Sequence, residues 1–267
     1  MRNLQSSNPA LREDVIRGGD WWSDTAAGEA ATISGIVNKT GLFAFVLAVA
    51  GAGGYALIER NPGMLFPLLI LNLVVTLGCF FMIRGSAVRA RNFGFVYSTS
   101  QGLLLGGFAV MLEGILKSRG AAVPGGLVLQ AFVVTVACLG TMLGLYRARI
   151  LKGGPMFTRV LMVATIGVFA TLMISFVLSL FGLNTMIFNL GAEAGSGGFL
   201  LGFGVTIGLL ILASLWLIID FRQAEELVNA GAPKETEWYA AFGLIVTIAW
   251  IYFESMKLVY YIALTRE

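Results

Sequence analysis

Residues 243–264 read GLIVTIAWIYFESMKLVYYIAL, an apolar run that carries Glu254 and Lys257 near its middle. A helix of about 20 residues crosses the roughly 30 Å hydrocarbon core of a bilayer, so this run is long enough to span a membrane. An ionisable side chain at that depth costs about 2.5–3.5 kcal/mol even on the mildest scale. We therefore expect Glu254 to face a bundle interior, a partner or water, and we expect this helix to be the central one.

The composition of the whole chain is that of a membrane protein. Of its 267 residues, 57% are hydrophobic and only 12% are charged, whereas soluble domains contain about 25% charged residues. Seven apolar runs follow one another along the chain, at about 41–58, 64–83, 93–116, 123–146, 160–183, 197–219 and 243–264. The sequence therefore predicts an all-α membrane protein with seven transmembrane helices in residues 40–267.

Residues 1–39 are polar and mixed in charge, and we predict a mostly disordered cytoplasmic tail there. Because the first apolar run begins only near residue 41, no cleaved signal peptide is expected. If the N-terminus is inside, thirteen lysines and arginines lie in cytoplasmic segments and four lie in outer segments. This bias predicts a multi-pass cell-membrane protein with its N-terminus in the cytoplasm and its C-terminus outside.

Several function classes are weakened by what the sequence lacks. There is no histidine and no GxSxG motif, so an intramembrane hydrolase is the weakest hypothesis, and we expect neither enzyme activity nor a cofactor. No internal repeat is recognisable, which argues against a secondary transporter. The net charge of +3 is too small to suggest nucleic-acid binding. Cys79 and Cys138 lie inside apolar runs and are predicted to be small buried hydrophobes rather than a disulfide.

Small and polar residues inside the apolar runs predict contacts between helices. Closely spaced glycines predict that backbones approach each other in the fourth and sixth runs, at Gly140, Gly144, Gly198, Gly202, Gly204 and Gly208. Asn72 and Gln130 are predicted to hydrogen-bond across helices. Ser98 and Gln101 are three residues apart and share one helix face, which either lines a polar cavity or packs against a neighbour.

Two arrangements could satisfy Glu254. It could form an ion pair with Lys257, one turn further along the same helix, although desolvation offsets much of the attraction in a buried pair. It could instead lie beside Asp220, which ends the sixth apolar run. Two close carboxylates cannot both ionise readily, so they would share a proton and titrate as a unit. Such a pair would respond to pH, bind a hard cation through its oxygens, or do both.

The C-terminal third resembles the Bax-inhibitor-like (YccA-like) membrane proteins, and most closely their longer actinobacterial branch. The residues that carry this resemblance are 217–254, LIIDFRQAEELVNAGAPKETEWYAAFGLIVTIAWIYFE, supported by SSNPALR at 6–12 and PMFTRVLMVATIGVF at 155–169. The resemblance implies seven helices, with the last one central and wrapped by the other six. It also implies a pH-sensitive calcium leak, in which an acidic pair acts as proton sensor and latch. Asp220 and Glu254 stand at the two positions of that pair, and calcium would be the ion they bind or pass.

The chain departs from the family pattern at several positions. Asn72 and Gln101 stand where glutamates are common, and with Ser98 they are candidate pore-lining residues. Arg84 is the candidate substitute for an arginine that holds the acidic pair, and Lys257 stands where a neutral residue is common. We predict a pH-sensitive calcium leak or channel in contact with lipid, calcium ions and protons. The alternative is a non-conducting regulatory protein that binds a partner such as a membrane protease.

Overall fold

The computed structural model describes residues 29–83, 86–181 and 195–265. Seven long helices occupy these residues, and a short 3₁₀ turn at Pro62–Met64 joins the first two. They are α1 (Ile33–Arg60), α2 (Leu65–Ile83), α3 (Ala87–Ser118), α4 (Leu127–Arg147), α5 (Pro155–Leu180), α6 (Gly197–Asn229) and α7 (Thr236–Leu264). All seven are long and apolar enough to cross a membrane. The predicted all-α protein with seven membrane-spanning helices is therefore confirmed.

Several helices extend beyond the apolar runs that predicted them, among them α1, α6 and α7. Helix α6 continues to Asn229, and α7 already begins at Thr236. The extra turns are rich in alanine, glutamate, glutamine and arginine. These residues have high helix propensity, although the charged and amide ones are too polar to belong to an apolar run. Helix α1 begins at Ile33, so the predicted tail boundary at residue 39 falls inside this helix. Residues 1–28 of that tail lie outside the described residues.

The chain divides into two compact units. The first contains the described residues of Met1–Gly107 together with Asp220–Val246, and the second contains those of Phe108–Ile219 and Thr247–Glu267. Helices α3, α6 and α7 contribute residues to both units. Asp220 therefore belongs to the first unit and Glu254 to the second.

The core of the first unit is aromatic and aliphatic. Its buried members come from α1, α2, α3 and α7, namely Phe43, Cys79, Ile83, Ala90, Tyr97, Ala241, Phe242 and Ile245. Phe43 meets Phe95 edge to face at 5.1 Å, and Tyr97 meets Phe242 in the same way at 5.4 Å. Such pairs add about 0.5–1.5 kcal/mol each beyond the area that they bury. Cys79 is a free, buried thiol, as predicted.

Helices α1 and α3 cross with their backbones in contact. A Cβ on Gly54 would overlap the backbone of Leu103, one on Gly102 would overlap the carbonyl of Leu47, and one on Gly106 would overlap the carbonyl of Gly51. The close approach predicted for the fourth and sixth runs was wrong at Gly140, Gly144, Gly204 and Gly208, where no described atom lies within 4 Å of an added Cβ. At Gly202 the glycine makes room for the Tyr261 side chain rather than for a backbone.

The second unit has its own aromatic core. Phe199 of α6 and Tyr261 of α7 meet edge to face at 5.3 Å, and Tyr260 is fully buried beside them. The indole N–H of Trp216 donates to the Thr165 hydroxyl at 2.8 Å, which joins α6 to α5. Cys138 is a free thiol and is only partly buried.

Large apolar side chains cover the outer faces of the helices. Phe66 and Phe81 of α2 and Val163 and Phe169 of α5 are each more than 60% exposed. A water-soluble protein would bury such side chains, whereas a bilayer solvates them. By contrast, half of the most apolar stretch is buried in both α6 and α7, against 6% in α5. The wrapping of α7 by the other six helices stays a prediction.

Candidate functional site

Helix α7 carries buried polar side chains at two levels. Glu237 lies in its first turn, and Glu254 and Ser255 lie about five turns further along. All three are at least 98% buried. A membrane helix that only packs against its neighbours rarely buries carboxylates. Each buried charge is costly unless a partner compensates it.

Glu254 is paired with a lysine of its own helix. Lys257 Nζ lies 2.7 Å from Glu254 Oε2, and the two side chains are 14% and 3% exposed. The contact has ion-pair distance without hydrogen-bond alignment. The Lys257 ammonium also lies 4.9 Å from the centre of the Phe253 ring, a cation–π distance. Of the two arrangements open from the sequence, the structure contains the intrahelical ion pair.

Next to Glu254, Ser255 links α7 to α4. The Thr135 hydroxyl donates to the carbonyl of Ala131 at 2.8 Å and lies 3.3 Å from the Ser255 hydroxyl. Because the Thr135 proton is used within α4, Ser255 is the side chain that can donate across the gap. This contact joins α7 to α4 in the second unit at the residue after Glu254.

Asp220 lies against α7 in the first unit. A Cβ added to Gly243 would be 3.8 Å from Asp220 Oδ1, so the aspartate of α6 faces a position of α7 that has no side chain. Glu254 follows eleven residues later on α7, which is about 16 Å along a helix axis. The action of Asp220 and Glu254 as a proton-sharing pair, and as calcium ligands, stays a prediction.

The amide of Asn72 joins α2 to α3. Its Nδ2 donates to Ser100 Oγ and to Gln101 Oε1, both at 3.1 Å. The predicted cross-helix role of Asn72 is confirmed, whereas the Gln130 side chain donates to the Pro124 carbonyl, six residues earlier and just before the same helix. Ser98 is completely buried, and within the described ranges its hydroxyl has no hydrogen-bond partner. Arg84, the candidate gate partner, lies outside the described residues.

Sequence reasoning missed the buried carboxylate of Glu237. It accepts hydrogen bonds from the Thr32 N–H at 2.8 Å and the Thr32 hydroxyl at 3.1 Å, and it forms an ion pair with Lys39 Nζ at 2.5 Å. Lys39 and Arg91 both stand over the Trp238 ring, at 5.0 and 5.4 Å. The available signal is an acidic residue at the start of a helix, where the macrodipole favours it, but Glu237 lies in the polar stretch between the apolar runs 197–219 and 243–264.

The chemical property that these residues share is a charge that protonation can change. Among the described residues, no group of three or more Asp, Glu, His or Cys side chains could hold a metal ion. The structure contains two buried carboxylates on α7, each paired with a lysine, and a third carboxylate beside that helix. These features define a multi-pass helical membrane protein with titratable groups buried along one helix.

Comparison with known families identifies the chain more closely. Residues 8–264 match the family described as Bax inhibitor 1 like, and the chain belongs to this family. The match covers all seven helices, so the resemblance noted from the sequence is confirmed. The family is not known for enzymatic activity. A comparison with curated proteins finds no match.

Proposed function

We propose that this protein is a pH-sensitive calcium leak in the cell membrane, controlled by carboxylates that act on α7. The observation that carries the proposal is the Glu254–Lys257 pair, buried within a membrane-spanning helix. A buried ion pair can be replaced by apolar residues without loss of stability, and often with a gain. A titratable pair at this depth is therefore better explained by a role in transport than by a role in folding.

The proposed control works through charge on α7. While Glu254 is ionised, the pair with Lys257 has no net charge. When Glu254 takes up a proton, Lys257 remains as an uncompensated cation, and the same helix gains one positive charge. Protonation of Asp220 removes a negative charge from the surface that faces Gly243. Each event changes the free energy of α7 in its surroundings and so shifts the populations of closed and open states.

Polar groups on α2 and α3 supply the proposed path for the ion. Asn72, Ser98 and Gln101 present amide and hydroxyl oxygens, which are neutral ligands suited to a hard cation that must also leave. The Ser98 hydroxyl is completely buried and has no hydrogen-bond partner in the described part of the chain, and its proposed role is that of an ion ligand in the open state. Arg84 remains the candidate that holds the acidic groups in the closed state.

The proposed placement follows from the charge bias. The N-terminus would be cytoplasmic and the C-terminus outside, which puts the basic loop between α2 and α3 on the cytoplasmic side. Labelling of single cysteines at Ser34 and Thr265 with a membrane-impermeant reagent tests this orientation, because only the latter should react from outside intact cells.

Purified protein in dye-loaded liposomes tests the function itself. Calcium entry above that of empty liposomes, with a pH dependence that Asp220→Asn or Glu254→Gln weakens, would support the proposed leak. If the liposomes stay tight, the alternative becomes the better account: a non-conducting regulatory protein that binds a partner such as a membrane protease. A pull-down from native membranes would then identify that partner.

A further inference from the structure

The two carboxylate–lysine pairs of α7 differ in one respect that matters for movement. Lys257 lies on the same helix as Glu254, so that ion pair moves together with α7 and does not connect α7 to another helix. Lys39 lies on α1, so its pair with Glu237 joins two helices through residues that are 198 positions apart in the chain. If the start of α7 shifts relative to α1, the Lys39–Glu237 pair must break.

Backbone bonds reinforce this connection just before α1. The Ala31 N–H donates to the Ala232 carbonyl at 2.8 Å, and the Lys234 N–H donates to the Glu29 carbonyl at 3.0 Å. These two bonds flank an isolated antiparallel bridge between Ala30 and Pro233. An exposed ion pair between Lys234 and Glu29 lies beside them. We call the contacts of residues 29–39 with residues 232–237 the clasp.

Glu237 is the centre of the clasp, and all the bonds described for its carboxylate come from residues 32–39. Thr32 contributes two of them, and the same hydroxyl accepts from the Gly35 N–H at 3.0 Å, which caps the first turn of α1. Lys39 contributes the charge. The carboxylate is 1% exposed, so loss of these partners would leave a buried charge unpaired.

Gly35 allows this fit. A Cβ at position 35 would overlap the carboxylate of Glu237, and the overlap involves both oxygens and the carbon that joins them. On the same helix, a Cβ at Gly41 would meet nothing within 4 Å. The absence of a side chain at position 35 is therefore a requirement of the closed clasp, whereas the glycine at position 41 is not.

We propose that the clasp is a releasable lock on the N-terminal end of α7, with the Lys39–Glu237 pair as the element that must break for α7 to move. Its outer contacts are exposed and weak, because Lys234 and Glu29 are 53% and 78% exposed. Its inner contact is buried and charged. The lock thus combines this ion pair with the packing of Phe43 of α1 against Trp238 of α7, whose ring centres are 5.5 Å apart. Only its effect on conduction rests on the proposed function.

Disulfide trapping measures whether the clasp is closed. Ala30 and Pro233 form a non-hydrogen-bonded antiparallel pair, the type with the closer Cα atoms, about 4.5 Å apart. Ala30→Cys and Pro233→Cys, in a background without Cys79 and Cys138, should cross-link readily under mild oxidation. Adding Glu237→Gln or Lys39→Met should slow cross-linking by about tenfold or more, whereas Lys39→Arg should keep it fast.

Controls separate release of the clasp from misfolding. Glu59→Gln changes an exposed carboxylate at the other end of α1, outside the clasp, and should leave the rate unchanged. Each variant must elute as a single species in detergent, and Lys39→Arg provides the rescue that a merely unfolded protein could not give. The proposal is overturned if the parent pair does not cross-link, or if Glu237→Gln and Lys39→Met leave the rate within about twofold of the parent. Either result can be read even if the protein conducts no calcium.

Discussion

Lys257 lies one helical turn after Glu254, and its ammonium nitrogen is 2.7 Å from the glutamate carboxylate. The pair is buried in the second unit, on the helix that also carries Glu237 in the first. Because Lys257 is on the same helix, it can neutralise the charge of Glu254 without linking Glu254 to a neighbouring helix. The charge on α7 can therefore change without the loss of a helix–helix contact at this position.

The free energy of unfolding should depend on this pair in a non-additive way. Lys257→Met leaves the carboxylate of Glu254 buried without a cation, and we expect a loss of about 3 kcal/mol, the lower end of the range for a broken buried pair. The double variant Lys257→Met with Glu254→Gln should lose less than the sum of the two single variants. Thermal unfolding in detergent measures this, with the exposed Lys152→Met as control. Strict additivity would show that the two charges are not coupled.

The crossing of α1 and α3 should be intolerant of a single methyl group. Gly106→Ala places a Cβ against the Gly51 carbonyl, and we expect a loss of about 1–3 kcal/mol or more, because two backbones must separate. Gly114→Ala on the same helix meets nothing within 4 Å and should be neutral or stabilise by up to about 1 kcal/mol. Equal melting temperatures for the two variants would contradict the described crossing.

A methyl group at position 35 should open the clasp. In the double-cysteine protein, Gly35→Ala is expected to slow disulfide formation between positions 30 and 233 by about tenfold, because its Cβ and the Glu237 carboxylate cannot occupy the same space. Gly41→Ala is the matched control on the same helix and should leave the rate unchanged. A Gly35→Ala protein that cross-links as fast as its Gly41→Ala counterpart would contradict the close approach.

The exposed edge of the clasp should not respond to physiological pH. The pKa of Glu29 lies below its ordinary value of 4.5, first because Lys234 donates a hydrogen bond to it, and the pKa of Lys234 lies above 10.5 for the reciprocal reason. The stabilisation from Glu29 is thus present above pH 4.5 and is lost as the pH falls through the lowered pKa. The stabilisation from Lys234 is present below pH 10.5 and is lost as the pH rises through the raised pKa.

Spin labels at positions 30 and 233 can test this stability window. The distance between them should stay constant from about pH 6 to 8, since neither Glu29 nor Lys234 changes charge there. Glu235 and Glu237 are the other charged groups that act on this pair. A distance that lengthens within the window would contradict this expectation and would mean that another group opens the clasp.

Hydropathy and helix propensity account for most of the fold in advance. The seven apolar runs predict the seven helices, because a membrane span must be long, apolar and internally hydrogen-bonded. They do not predict where α1 and α7 begin, since Thr32 and Thr236 lie in polar sequence that hydropathy assigns to a tail and a loop. The start of a helix depends on caps and tertiary partners there, not on apolar length.

The contacts between helices were less predictable. Glycine spacing identifies a smooth helix face, but it does not say whether another helix covers that face. It indicated Gly140 and Gly144, which meet nothing described, and it did not indicate the contact of Gly106 with Gly51. Likewise, Glu254 could be recognised from the sequence as a buried charge because it interrupts an apolar run. Glu237 could not, because its neighbours in the sequence are polar and its partner Lys39 is close only in the folded chain.

The most direct test of the central claim is calcium flux into dye-loaded liposomes from about pH 5 to 8, where buried carboxylates with altered environments titrate. Wild-type protein, Glu254→Gln and the control Glu59→Gln, whose carboxylate is exposed at the end of α1, would be compared. The account predicts a flux that changes with pH in the wild type and in Glu59→Gln, and a clearly weaker dependence on pH in Glu254→Gln. A wild-type flux no faster than that of empty liposomes, or a Glu254→Gln profile identical to the wild type, would contradict it.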